Sequence, residues 1–235
     1  MLELLGVAET MLSASQRRLE VISGNISNTE TSGFKRTQSF DAVLTAASDG
    51  VLPEAGISTY LDLTSGALSA TGSPLDIAIS SGGFFQLSDG EQALYSRAGQ
   101  FSIAADGRVV NGAGLALQAV SGGDVILPHD QVEILEDGTV LDAGLPVARI
   151  ALFAPDSVDQ MQALGGSLFT ADEAAMQLET DPVMHQGMLE GANVELASEM
   201  TAMMMALRQA EMGSRLVQTY DQLIGQAITT FGRGR

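Results

Sequence analysis

Apolar residues recur in alternating steps of three and four at the two ends of the chain. Near the C-terminus, Leu196, Met200, Met203, Leu207, Ala210, Ser214, Val217, Asp221, Ile224 and Ile228 keep that alternation for more than four heptads. This is the spacing of a helix that buries one narrow seam against another helix. A helix over 194–228 would be roughly 50 Å long at ~1.5 Å per residue. Isolated helices are marginal in water, so one this long needs a partner along its length. Residues 1–28 carry a matching stripe of Leu5, Ala8, Leu12, Ser15, Leu19, Ile22 and Ile26, with Gly24 as an interior breaker. The run from Thr29 to Gly33 closes that helix, Gly33 being suited to a positive φ after the last turn. Asn193 is the expected N-cap of the second helix. Glu195 is expected in its first turn, where the helix dipole favours an acid.

The middle differs in kind. All six prolines lie between Pro53 and Pro182, and Asp-Gly pairs at 89–90, 106–107 and 137–138 separate short β-type runs. Residues 101–111 are the clearest hairpin, alternating residues closed by Asp106-Gly107 and followed by Val109-Val110. The runs 74–79, 83–87, 124–128, 132–135 and 147–153 add strands. Residues 60–155 read as an antiparallel sheet or small barrel, and 156–180 as a short helix with a loop. The fold class is therefore α+β. Long N- and C-terminal helices packing as a coiled coil flank a mainly antiparallel β-rich central domain.

Charge divides the chain in the same way. Nineteen acids and three arginines fall in 48–185, whereas 1–47 and 186–235 each hold five acids and four bases. The overall charge of −18 argues against nucleic acid or anionic lipid as a partner. Self-repulsion keeps the acidic middle from packing on its own copies, and the near-neutral ends carry no such bar. No stretch approaches the ~18 apolar residues of a membrane span. The first residues lack a secretory pattern, since Glu3 and Glu9 interrupt the apolar run. Cysteine is absent, which excludes a disulfide framework and thiolate metal sites.

Catalytic constellations are lacking. His129 and His185 are far apart in sequence, and no nucleophile elbow, zinc-protease helix or phosphate-binding loop occurs. Each Asp-Gly pair is a hairpin turn before it is a calcium loop. The expectation is a protein that is not an enzyme and uses no cofactor, metal or small-molecule substrate. Seven of the eleven methionines fall in 184–212, and methionine suits surfaces that pack against non-identical neighbours.

Residues 23–36, with Asn25, Asn28, Thr31, Gly33, Phe34 and Lys35, resemble the N-terminal motif of the flagellar basal-body rod and hook family. Residues 187–200, with Leu189, Glu190, Asn193 and Val194, are similar to that family's C-terminal motif, and 71–87 followed by 95–110 to its outer-domain pattern. The resemblance implies a structural subunit of the basal-body rod, in the periplasmic space, exported without a cleaved signal peptide. Its implied partners are other rod subunits, copies of itself and, in transit, the flagellar export apparatus, without membrane insertion. The size of the middle suits a proximal or distal rod member, and its compactness favours the proximal type. The competing class is a monomeric β-rich ligand-binding module.

The expected division is 1–40 as N-terminal assembly helix and corner, 41–188 as acidic outer domain, and 189–235 as C-terminal assembly helix. The assembly motif comprises Asn25, Asn28, Thr31, Gly33, Phe34, Leu189, Glu190, Asn193 and Val194. Helix packing is assigned to Leu12, Leu19, Ile22, Met200, Met203, Leu207, Val217 and Ile224.

Overall fold

Both terminal stripes are helical. The computed structural model describes residues 2–41 and 57–232, with α1 spanning Leu2–Ser27 and α2 spanning Leu196–Gly232. Residues 42–56, inside the expected outer region, lie outside the described residues, as do the side chains of Leu5 and Ile228. The architecture is α+β, with a β-rich centre between two helices. The start of α2 corrects one expectation. Asn193 stands three residues ahead of the helix rather than at its cap, because its side-chain amide is occupied by backbone groups of other segments. Glu195 immediately precedes α2, its carbonyl accepting from Glu199 N at 3.0 Å and its carboxylate from Ser198 Oγ at 2.9 Å. The acid within the first turn is Glu199.

The chain forms two compact units. One is helical, made of Met1–Ser27, Thr37–Tyr60 and Glu195–Arg235; the other is the β unit, made of Asn28–Arg36 and Leu61–Val194. In the helical unit α1 and α2 run antiparallel: Asn25 meets Glu199, Arg18 Nη1 donates to Gln209 Oε1 at 2.9 Å, and Leu12 faces Gly213. Besides Asn25, the buried positions among the described side chains recur every seven residues, at Ala8, Ser15 and Ile22 on α1 and at Glu199, Ala206 and Gly213 on α2. That interval keeps a seam on one helix face. Ser15 fits it because its hydroxyl donates to Met11 O at 2.8 Å, leaving no unsatisfied donor.

In the β unit every strand pair is antiparallel. The strand Phe84–Ser88 is the wall between two apolar layers. Phe85 and Leu87 enter one cluster with Ile77, Ile79, Leu117 and Ile150, while Phe84 enters the other with Tyr95, Met161 and Phe169. Phe85 meets Phe101 edge-on at 5.2 Å and Phe84 meets Phe169 at 5.5 Å, on opposite faces of the strand. A strand covered on both sides reads as a continuous apolar run, which explains Phe84-Phe85 in sequence. The expected hairpin is present, Phe101–Ile103 pairing with Val109–Asn111 around Gly107 at φ 85°.

Two expectations for the middle need correction. Residues 124–128 make only isolated bridges, Asp124 to Gln118 and Ile126 to Arg108. Residues 156–180 hold two 3-10 turns and three short strands rather than a helix with a loop. The first and last parts of the β unit are zipped together. Ile77–Ile79 pairs with Met184–Gln186 and Leu68–Ala70 with Met188–Glu190, while Gly187 at φ 73° turns the chain between the two pairings.

Candidate assembly site

The zipping puts Glu190 inside the β unit, where its carboxylate is fully buried. Lys35 Nζ donates to Glu190 Oε1 at 2.6 Å, Gly66 N donates to the same oxygen at 3.0 Å, and Arg97 Nη1 reaches Oε2 at 3.0 Å. Lys35 Nζ also donates to Thr64 O at 2.8 Å, and Arg97 Nη2 to Ser81 O at 3.0 Å, above the Phe84 ring. Buried charges persist only when paired and hydrogen-bonded, and these two cations share one anion. Burial pushes the Lys35 ammonium below its ordinary value, against the pull of the Glu190 carboxylate.

The corner closes over this cluster. Asn28 O accepts from Thr31 N at 3.0 Å, Asn28 Oδ1 from Thr31 Oγ1 at 3.1 Å, and Thr31 O from Phe34 N at 3.2 Å. Gly33 adopts φ 68° and donates its N–H to Glu190 O at 2.8 Å. A Cβ there would lie 2.2 Å from Ala98 N, so the backbone approach itself demands glycine. Phe34 is buried. Asn193 ties three segments: Oδ1 accepts from Arg36 N at 2.7 Å, and Nδ2 donates to Asp62 O at 2.8 Å and Thr64 O at 3.0 Å. Leu189 pairs with Ser69 across the ribbon, and Val194 is half-buried. The structure thus brings Gly33, Phe34, Glu190 and Asn193 together within the β unit.

Asn25 works within the helical unit. Its Oδ1 accepts from Thr37 N at 3.0 Å, and its Nδ2 donates to Thr37 O at 2.8 Å and to Glu199 Oε2 at 3.2 Å. The side-chain amide therefore stands in for a paired backbone strand next to Thr37. Along the seam Ile22 is buried, while Leu12, Leu19, Met203 and Val217 are half-buried. Met200, Leu207 and Ile224 are exposed, at 55%, 48% and 38%. The seam between the chain's own two helices runs one residue earlier, through Glu199, Ala206 and Gly213. A stripe reading weights large apolar side chains, so it passes over the small Ala206 and Gly213 and the charged Glu199.

Arg97 is the central residue missing from the expected site, and Lys35, although part of the motif at 23–36, is not in the expected assembly set. Lys35 is marked by the motif and is the sole lysine of the chain, while the signal for Arg97 is compositional, one of three bases among nineteen acids in the middle. His129 Nε2 lies 3.3 Å from Asp142 Oδ1 at the surface. Among the described residues no group of three or more His, Asp or Glu side chains could hold a metal ion. No helix among them is long and apolar enough to cross a membrane.

Comparison with known proteins follows the same geography. Residues 5–35 match the family described as flagella basal body rod protein, residues 78–141 the flagellar hook protein FlgE/F/G D1 domain, and residues 185–230 the flagellar basal body rod FlgEFG protein C-terminal region. The flagellar basal-body rod protein FlgG of Agrobacterium fabrum is 32% identical over 261 residues, covering 93% of this chain and 95% of that protein. The chain belongs to the flagellar basal-body rod protein family. FlgF of Caulobacter vibrioides is 29% identical over 232 residues, covering 93% of both chains. FlgG of Bacillus subtilis is 27% identical over 249 residues. This rod protein is a structural subunit of the flagellar basal body and not an enzyme. Each of the three matched segments supplies one member of the buried cluster: Lys35, Arg97 and Glu190.

Proposed function

We propose that this rod protein polymerises through its terminal helices, with 1–40 and 189–235 carrying assembly and 41–188 serving as the acidic outer part. The observation that carries this reading is the outward face of α2. Met200, Met204, Met205, Leu207, Met212, Leu216 and Leu223 are all exposed there, Met205 to 64% and Leu223 to 60%. These side chains form two exposed apolar stripes, Met200, Met204 and Leu207 on one and Met205, Met212, Leu216 and Leu223 on the other, and exposed apolar surface of this kind marks an interaction surface. In the assembled rod that face and the α1–α2 seam complete a coiled coil with neighbouring subunits. The flexible methionines accommodate both copies of the chain and different rod proteins. The subunit passes through the flagellar export apparatus as an extended chain and takes its place in the periplasmic rod. Having no cysteine, it needs no disulfide on arrival.

Within the family the proximal, FlgF-type assignment is supported by size. The FlgF alignments span 232 and 236 residues on this 235-residue chain, whereas the FlgG alignments with the Agrobacterium and Caulobacter proteins span 261 and 263 and therefore open gaps in it. The test replaces Met200, Met204, Met205 and Leu207 with glutamine. Wild-type protein should associate in sedimentation and restore swimming to a strain lacking its proximal-rod protein, while the variant stays monomeric and non-motile. Equal association and swimming by the variant would remove the helix face from the assembly reading.

A further inference from the structure

The Lys35–Glu190–Arg97 cluster is as buried as the apolar layers yet belongs to neither of them. It holds two cations and one anion, and the Nε–H of Arg97 meets no hydrogen-bond partner among the described residues. Removing three charges from water for two ion pairs leaves such a cluster weakly stabilising but demanding in geometry. Apart from the buried Phe34 side chain, the segments it joins are held by polar bonds. These are Gly33 N to Glu190 O, Asn193 to Arg36, Asp62 and Thr64, and a three-residue ribbon whose Leu68–Ala70 strand is exposed throughout. Regions with few buried apolar contacts open at lower free energy than the core around them.

We infer that the Lys35–Glu190–Arg97 cluster is a latch that opens as one local unit, releasing the corner 28–36 and the ribbon 188–193 together while both apolar layers stay folded. The coupling lies in how Glu190 is used. Oε1 holds the corner through Lys35, Oε2 holds the strand layer through Arg97, and its backbone carbonyl holds Gly33. Displacing Glu190 frees the corner and the ribbon in one step. In sequence the corner follows α1 and the ribbon precedes α2. This goes beyond polymerisation and holds for the single subunit.

The sole lysine gives a direct reading. Full-length protein is exposed to an amine-acylating reagent across a urea series, and modification at Lys35 is followed by peptide mass spectrometry. The loss of β-sheet circular dichroism is recorded in parallel. Lys35 should be acylated in native buffer at least about tenfold faster than global unfolding permits, at a rate that changes little with dilute urea. Hydrogen exchange should show 28–36 and 188–193 opening at a common rate, with strands 84–88 and 93–96 protected throughout. Glu190→Gln should raise acylation of Lys35 by roughly tenfold or more without altering exchange in those strands. Acylation that tracks the loss of β-sheet signal, or unequal opening of the two segments, would overturn the latch. The wild-type measurements decide this even if the variant does not fold.

Discussion

A Cβ placed on Gly213 would lie 3.1 Å from Leu12 Cγ and 3.6 Å from Ala8 O, so the two helices meet where α2 has no side chain. Gly213→Leu should therefore destabilise the helical unit by about 1–3 kcal/mol through overpacking. Gly225 is the control, because an added Cβ there meets nothing within 4 Å. Gly225→Ala should stabilise α2 by up to about 1 kcal/mol through helix propensity alone. Far-ultraviolet circular dichroism during urea titration reads both. Equal responses at the two positions would contradict the seam.

Glu190→Ala leaves Lys35 and Arg97 buried without their carboxylate. Loss of one partner from a buried pair costs about 3–5 kcal/mol. The variant should show a lowered urea midpoint and an early loss of protection in 28–36. Replacing Lys35 and Glu190 together by methionine should recover part of that loss, since an apolar exchange removes the desolvation cost as well. A double variant less stable than Glu190→Ala would argue against a cost arising from stranded charge.

Lys35 can be titrated alone, because lysine-selective isotope labelling gives one side-chain signal. Burial sets its folded value below the ordinary 10.5, so the unfolded chain binds the proton more tightly. Between the lowered value and 10.5 the folded state holds fewer protons, and stability rises with pH through that window. The cost of the buried charge is fully present below the window and gone above it. Wild type should gain on Lys35→Met as the pH rises toward 10.5, and a side-chain signal titrating above 10.5 would refute this.

Three Asp-Gly turns share one device. Asp89 Oδ1 accepts from Gln92 N and Glu91 N, Asp106 Oδ2 from Arg108 Nε, and Asp137 Oδ1 from Thr139 N. These bonds hold all three carboxyls below the usual carboxylate range. Their contribution is present above the ordinary value of 3.8 and is lost as pH falls through the depressed folded values. Changing all three to asparagine should flatten the acid limb of the stability profile. An unchanged limb in thermal melts would assign acid sensitivity to other groups.

What could be read without the structure was local. The two helices show in a period that each segment carries by itself, and the 101–111 hairpin shows because Asp106-Gly107 supplies its own turn. Residues 124–128 look equally strand-like, yet their neighbours offer only single bridges. Short runs in 156–180 have no period long enough to distinguish strand from turn. The motif around Asn25, Gly33, Glu190 and Asn193 was visible as a pattern, but the work of each residue was not.

By itself the sequence determined two terminal helices and an acidic antiparallel middle, because periodicity, turn chemistry and charge are written residue by residue, while the motifs at 23–36, 71–110 and 187–200 carried the resemblance to the rod family. Only the tertiary structure decided that Lys35, Arg97 and Glu190 share one buried site, and that α2 brings Ala206 and Gly213 to the stripe of Ala8 and Ser15 on α1. The reason is physical in both cases. An ion pair between residues 35 and 190 depends on the zipping of 68–79 against 184–190, and a close helix contact depends on the absence of side chains. Neither leaves a mark in any single segment.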